Sequence, residues 1–385
     1  MLPTSILGSS LGFIDSSVVN VALPRLQLDL GVGFEASQWV ANAYLLTLAS
    51  LILFGGVVGD TFGQRRTFIF GLSGFAAASI ACGLAPTATA LVVFRGVQGA
   101  AGAFLIPASL ALVGTAFSGE DRGRAVGTWA AAGAITTALG PPLGGWLVDV
   151  VGWRSVFFVN VPIALAALAM AIQVRPDRPE RSGSLNMLSP VVGVFCLGSM
   201  SYGLIAAGTG AVLRGAAFGL LAIPLGALLV VRERQARHAL VPSRLFRDRR
   251  FVVANVMTVM LYASLTGALF LLPFVLIYTY DYSAAAAGAA FLPFSAIMAA
   301  GSRAAGGLAQ RIGSRTILAA GSLVAASGYI VFALSVQRPE YWLGFLPGLI
   351  LSGIGMTACV APLTTLVLDS APSELGGSAS GVNNA

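Results

Sequence analysis

Lysine is missing from this chain of 385 residues, all 22 of whose basic side chains are arginines. Chemistry that needs an amine is thereby excluded, from the phosphate-gripping lysine of a nucleotide-binding loop to a Schiff base, and no nucleotide partner is expected. Histidine is almost absent too: His238 is the only one, in an arginine-rich stretch where it reads as a solvated surface residue. The three cysteines, Cys82, Cys196 and Cys359, lie far apart in apolar surroundings. A zinc site or a Ser-His-Asp triad therefore has no parts, and neither an enzyme nor a metal or other cofactor is expected. Charge is the third scarcity, at 10% of residues against roughly 25% in a soluble domain, while 57% are hydrophobic.

What is there instead is a series of long apolar runs. A helix crossing the roughly 30 Å hydrocarbon core of a bilayer needs about 20 apolar residues. Cutting the chain at charges and at Gly, Pro and polar breaks gives twelve spans, near 2–23, 37–58, 67–84, 88–111, 125–148, 156–174, 187–207, 215–231, 251–278, 284–302, 316–336 and 342–368. They are apolar throughout and lack the alternation of β-barrel strands. The first begins almost at Met1 without a basic leader or a small-residue cleavage site, and so reads as a true span and not a removable signal.

The arginines orient these spans. With the N-terminus in the cytoplasm, 17 arginines fall in cytoplasmic loops, four (Arg25, Arg154, Arg214, Arg338) fall outside, and Arg95 alone lies inside a span. Short cytoplasmic loops carry such an excess. The net charge of +7 is thus a mark of topology and of contact with the lipid bilayer, and nucleic acid is not expected as a partner.

Two loops repeat. After the second span the chain passes through Gly56, Asp60 and Gly63 to Arg65 and Arg66; after the tenth it passes through Gly306 and Gly313 to Arg315, a displacement of 250 residues. Duplicated bundles that can rock about a central site are a transporter pattern. The repeat spans eight helices rather than six, so two extra helices stand between the halves: an N-terminal six-helix bundle over 1–174, central helices and flanking loops over 175–250, and a C-terminal bundle over 251–385. Ser378 to Ala385 read as the polar start of another helix, and the expectation is a C-terminally truncated chain holding twelve of about fourteen helices.

Several motifs now fall into order. Asp15 to Pro24, including Asn20, lies in the first span; Gly56 to Arg66 follows the second, with Thr61 and Gln64 at places commonly basic; Arg95, Gln98 and Gly99 lie in the fourth; Gly140, Pro141, Gly144 and Gly145 lie in the fifth, with Thr136 where glycine is usual; Trp153 to Pro162, including Arg154 and Asn160, opens the sixth. Along essentially its whole length the chain resembles the fourteen-helix drug:proton antiporters of the major facilitator superfamily. The resemblance implies an all-α polytopic fold of two pseudo-symmetric bundles in a bacterial cytoplasmic (inner) membrane, and multidrug efflux in exchange for protons by alternating access, as a monomer. It also implies that the loop from Gly56 to Arg66, with Gly313 and Arg315 in the second half, is a cytoplasmic gate, and that the fifth-helix motif accompanies export.

The residues themselves support part of this. Asp15 is the only carboxylate well inside a span, about 12 Å from the outer end of the first helix, and Arg95 sits at similar depth in the antiparallel fourth. Ionisable groups there are costly unless paired or wetted, so both are candidates for proton coupling; a permanent ion pair that only locks two helices is the other reading. One embedded carboxylate points to one proton per cycle and a neutral or singly charged lipophilic small-molecule substrate. In the gate, Gly63 suits a tight turn and the arginines suit the headgroup layer. In the fifth helix Pro141 and its glycines suit a bend and a close contact rather than a ligand. Trp39, Tyr44, Trp129, Tyr262 and Phe270 could line a cavity or merely pack. Two rival functions stand beside efflux: a facilitator or exporter of an endogenous metabolite without proton coupling, and a non-transporting membrane sensor or inactive fragment.

Overall fold

The computed structural model describes residues 1–117, 119–174, 188–235, 243–335, 340–371, 379, 382 and 383. Arg175, Arg178, Arg181, Arg237, His238 and Arg338 lie outside these residues, as does most of the stretch from Ser378 to Ala385. The described residues hold no strand. The helices are α1 (Leu2–Leu30), α2 (Phe34–Phe62), α3 (Gln64–Gly83), α4 (Ala88–Ala116), α5 (Gly119–Val150), α6 (Ser155–Phe158), α7 (Asn160–Gln173), α8 (Leu188–Gly208), α9 (Val212–Gln235), α10 (Arg249–Tyr278), α11 (Ala284–Ala289), α12 (Leu292–Ile312), α13 (Ser314–Ser335) and α14 (Leu346–Asp369).

Every span read from the sequence falls on a helix, and α6 with α7, like α11 with α12, makes one crossing. Among the described residues eleven crossings are long and apolar enough to traverse a bilayer; the twelfth, α5, is diluted by Gly, Thr and Pro. Several helices overrun the apolar spans because their backbone hydrogen bonding continues through the polar residues that follow. Helix α1 stops only at Gly31, whose left-handed φ of 61° ends it with N–H groups turned back to Gln27 and Leu28 carbonyls. Asp15 is therefore near the middle of its helix, about 22 Å from its C-terminal end.

Two breaks follow from backbone chemistry. Gly63 and Gly313 have φ of 98° and 90°, and each lets one helix end and the next begin with a single residue between them. Pro162 has no N–H to offer Phe158, and the helix is interrupted at Val159 so that Asn160 opens α7. The repeat is visible in the register: Phe34 and Ala284 start α2 and α11, and Gln64 and Ser314 start α3 and α13, each pair 250 residues apart. Packing repeats as well, α4 bearing on α2 and α3 as α14 bears on α12 and α13. Between the halves α8 and α9 pair with each other, α8 leaning on α2 through Tyr202 against Trp39.

The two halves meet at the end opposite the arginine-rich loops. Here α5 packs on α11 and α12, and α1 on α10 and α11. Asp149 accepts hydrogen bonds from the backbone N–H groups of Ala284 (3.1 Å) and Ala285 (2.7 Å), the Tyr278 hydroxyl donates to the Pro24 carbonyl at 2.8 Å, and Phe34 sits edge-on to Phe270 and Phe274. Toward the arginine-rich face the halves enclose a cavity of about 1880 Å³.

Within the first half, α2 and α4 touch at backbone distance because Gly55 and Gly99 lack side chains: a Cβ at Gly55 would strike the Ala103 carbonyl, and one at Gly99 the Tyr44 carbonyl. Overpacking of this kind costs typically 1–3 kcal/mol and more where backbone must move. Gly55→Leu is expected to lower the melting temperature of the detergent-purified protein and broaden its size-exclusion profile; a wild-type melting curve would contradict this packing.

Candidate functional site

Five helices bring one polar cluster together inside the first half. From α1, Asp15 is fully buried; from α4 come Arg95 and Gln98, from α3 Ser79 and from α7 Asn160, all buried. Arg95 Nη1 donates to Asp15 Oδ2 and, at 2.7 Å, to Gln98 Oε1. The other carboxylate oxygen, Oδ1, accepts from Gln98 Nε2 and Asn160 Nδ2, both at 2.9 Å. These two amides also donate to Ser79 Oγ at 2.7 and 3.1 Å. Arg95 Nε donates to the Val40 carbonyl of α2 at 3.0 Å, and the guanidinium lies 4.3 Å from the ring centre of Tyr44, whose hydroxyl donates to the Gly12 carbonyl.

The residue types explain the stability of this arrangement. A lone ion in hydrocarbon is costly, and a buried pair holds only where its remaining lone pairs and protons are satisfied. Here each oxygen of Asp15 has a donor, and the face of Arg95 has an aromatic ring. One valence stays open. Arg95 Nη2 makes no hydrogen bond to the protein, and Arg95, unlike Asp15, is among the residues lining the cavity.

That cavity runs from Asn20, Gln38, Asn42 and Arg95 at its closed end to Asp60, Gln64 and Thr115 at its mouth, with Trp129, Tyr262, Phe270, Phe291, Phe294 and Met298 along its walls. Of the five aromatics singled out in the sequence, Tyr44, Trp129, Tyr262 and Phe270 line it, and Trp39 packs on α8 instead.

The remaining sequence-derived positions separate by task. Gly140 and Gly144 abut Ser17 and Val18 of α1, whereas Gly145 abuts the Ala284 carbonyl, and Gly288 abuts the Pro141 carbonyl in turn. The fifth-helix motif is thus a two-sided seam joining α5 to α1 on one side and to α11 on the other. The stretch from Gly56 to Arg66, expected as a loop, is helical except at Gly63: Gly56 and Asp60 lie in the last turns of α2 and line the cavity, Arg65 and Arg66 lie in the first turn of α3, and Asp60 accepts from Gln64 Nε2 at 2.9 Å. Arg65 reaches the α7 carbonyls of Ala171 (3.1 Å) and Ile172 (2.7 Å), closing the end of that helix; Arg66 is exposed, as is Gly313, while Arg315 is exposed at the start of α13. The sequence-derived set brings Asp15, Arg95 and Gln98 together and leaves the loop positions away from them.

Asn160 and Ser79 received no role from sequence. Asn160 carried a usable signal, an amide just ahead of a proline at the head of an apolar span; a serine such as Ser79 in an apolar helix carries none, because serine is common in such helices and commonly bonds its own backbone.

Comparison with known proteins gives the family. The Major Facilitator Superfamily model matches residues 5–385. The multidrug resistance protein Stp of Mycobacterium tuberculosis is 34% identical over 98% of this chain and 71% of its own length. The tetracenomycin C resistance and export protein of Streptomyces glaucescens is 34% identical over 96% and 69%. Among solved structures, a POT family transporter in complex with 5-aminolevulinic acid superposes with a TM-score of 0.75 at 11% identity, over 100% of this chain and 86% of that one, a likeness of fold alone. The chain belongs to the major facilitator superfamily, as a multi-pass membrane protein with exporters among its relatives.

Proposed function

We propose that the protein exports lipophilic small molecules in exchange for protons by alternating access, with Asp15 as the titrating group and Arg95 as the group through which its ionisation is felt in the cavity. The observation that carries this reading is a fully buried carboxylate held by a guanidinium that itself forms part of the cavity wall. The resistance and export functions named for the relatives support the direction of transport.

While Asp15 is ionised it fixes Arg95 through Nη1 and leaves Nη2 turned to the cavity, so the wall is set for substrate. A proton on Asp15 removes the charge that holds the guanidinium; the pose of Arg95 and the substrate contact that depends on it are lost together. Gln98 and Asn160 are positioning residues that hold the carboxylate in place by donating to Oδ1. One charge moving across 100 mV supplies about 2.3 kcal/mol, enough for roughly a fiftyfold gradient of a neutral compound. In this reading the N-terminus and arginine-rich loops are cytoplasmic, the open cavity is the loading state, and Asp149 with the α5–α11 seam is the closed outer gate. One copy of the chain supplies every residue of the polar cluster around Asp15.

Substrate added to purified protein in weak buffer is expected to release protons, and Asp15→Asn to abolish the release. Breaking a buried pair leaves an uncompensated charge at a cost of roughly 3–5 kcal/mol, so the double variant Asp15→Asn, Arg95→Gln, which restores neutrality, separates coupling from folding. Undiminished release in either variant would sink the role of Asp15, and transport that survives both without a proton gradient would favour an uncoupled facilitator.

For the outer gate, Ala284→Cys reports opening through labelling by a membrane-impermeant thiol reagent. Adding Asp149→Ala, which removes two charge-assisted hydrogen bonds, is expected to raise the labelling rate about tenfold or more. An unchanged rate would mean that Asp149 does not hold the halves together.

A further inference from the structure

The cavity's charges are unevenly placed. Among the described lining residues the charged side chains are Arg95 at the closed end and Asp60 at the mouth. Asp60 lies 20 residues along α2 from Val40, whose carbonyl binds Arg95; at 1.5 Å per residue the two charges are about 30 Å apart along the helix, and Asp60 stands where water enters. Asp15 is sealed behind Arg95 with no exposed surface. A ligand at the closed end therefore meets a guanidinium and no carboxylate.

Three ligand chemistries respond differently to such a wall. A lipophilic cation would give up hydration for apolar walls and a like charge, with no anion in reach. An anion would set a second negative charge around a guanidinium already neutralised by Asp15. An uncharged molecule with a strong acceptor oxygen avoids both costs: it satisfies Nη2, the guanidinium nitrogen with no hydrogen-bond partner in the protein, and leaves the Asp15–Arg95 pair neutral. The amides of Gln38 and Asn42 beside it offer further donors, and Trp129, Phe291 and Phe294 offer apolar contact.

We infer that the substrates of this cavity are uncharged amphiphiles presenting a hydrogen-bond acceptor oxygen, such as a carbonyl or quinone, to Arg95 Nη2, and that lipophilic cations are excluded. This rests on the cavity being the transport site proposed above, and it narrows the neutral-or-cationic range read from the sequence.

Four probes of similar size separate the terms: triphenylphosphine oxide (neutral, strong acceptor), triphenylmethane (neutral, no acceptor), tetraphenylphosphonium (cation) and tetraphenylborate (anion). Equilibrium dialysis with the full chain in detergent, at one pH and without a gradient, gives affinities, and loss of fluorescence quenching in Trp129→Phe assigns binding to the cavity. Triphenylphosphine oxide is expected to bind about tenfold or more tightly than each of the other three, the effect of one charge-assisted hydrogen bond. Arg95→Gln is expected to bring its affinity close to that of triphenylmethane. Tetraphenylphosphonium or tetraphenylborate binding as tightly as the oxide would overturn the inference, as would equal binding of the two neutral probes. Should Arg95→Gln fail to fold, the wild-type ranking decides alone. Since no proton movement is measured, an oxide-selective protein without substrate-induced proton release would defeat the coupling reading only, and the converse result would defeat the selectivity only.

Discussion

A charge in hydrocarbon needs a partner, and the first half of this protein is arranged around one such pair. Asp15 and Arg95 draw α1, α2, α3, α4 and α7 into a single polar knot through Val40, Ser79, Gln98 and Asn160. The close helix approaches at Gly55 and Gly99 serve the same end by bringing α4 near enough to α2 for Arg95 to reach the Val40 carbonyl. A pair that only locked helices would be satisfied on every side. This one keeps Nη2 open at a cavity wall, so its state can be sensed by whatever occupies the cavity.

The duplicated fold makes the placement of that charge more telling. The repeat carries helix starts, glycine turns and packing partners into the second half, yet the positions 250 residues beyond Asp15 and Arg95 are Leu265 and Phe345. Both contribute to an apolar cluster instead. One half thus carries a buried ion pair where the other, at the corresponding positions, is apolar. Such a division gives the cavity a wall bearing an ion pair that faces a largely apolar one, and the two walls meet at the seam between α5 and α11.

Much of this was legible in the sequence, for identifiable reasons. Apolar length marks a membrane helix regardless of its neighbours, so all the spans were found; their ends were not, because helices such as α1 and α2 continue beyond the hydrocarbon. Asp15 and Arg95 stood out because ionisable residues are rare in spans, and their antiparallel depths already matched. Asn160 and Ser79 did not, since a neutral polar side chain in a membrane helix usually bonds its own backbone and reveals a distant partner only in three dimensions. Asp149 follows directly on the fifth apolar span and carries no signal of its own there; that it caps a helix of the opposite half depends on tertiary placement. The division of the fifth-helix motif between two neighbours, with Gly140 and Gly144 on one and Gly145 on the other, also follows from helix rotation and not from composition.

The central claim is that Asp15 changes protonation when the cavity changes occupancy. Infrared difference spectroscopy on membrane-reconstituted protein observes this directly, through the carbonyl band of a protonated carboxylic acid and its shift in heavy water. Addition of a transported compound at fixed pH should diminish that band in the wild type and leave no such difference in Asp15→Asn. A band that ignores substrate, or a substrate-dependent change that persists in Asp15→Asn, would contradict the account.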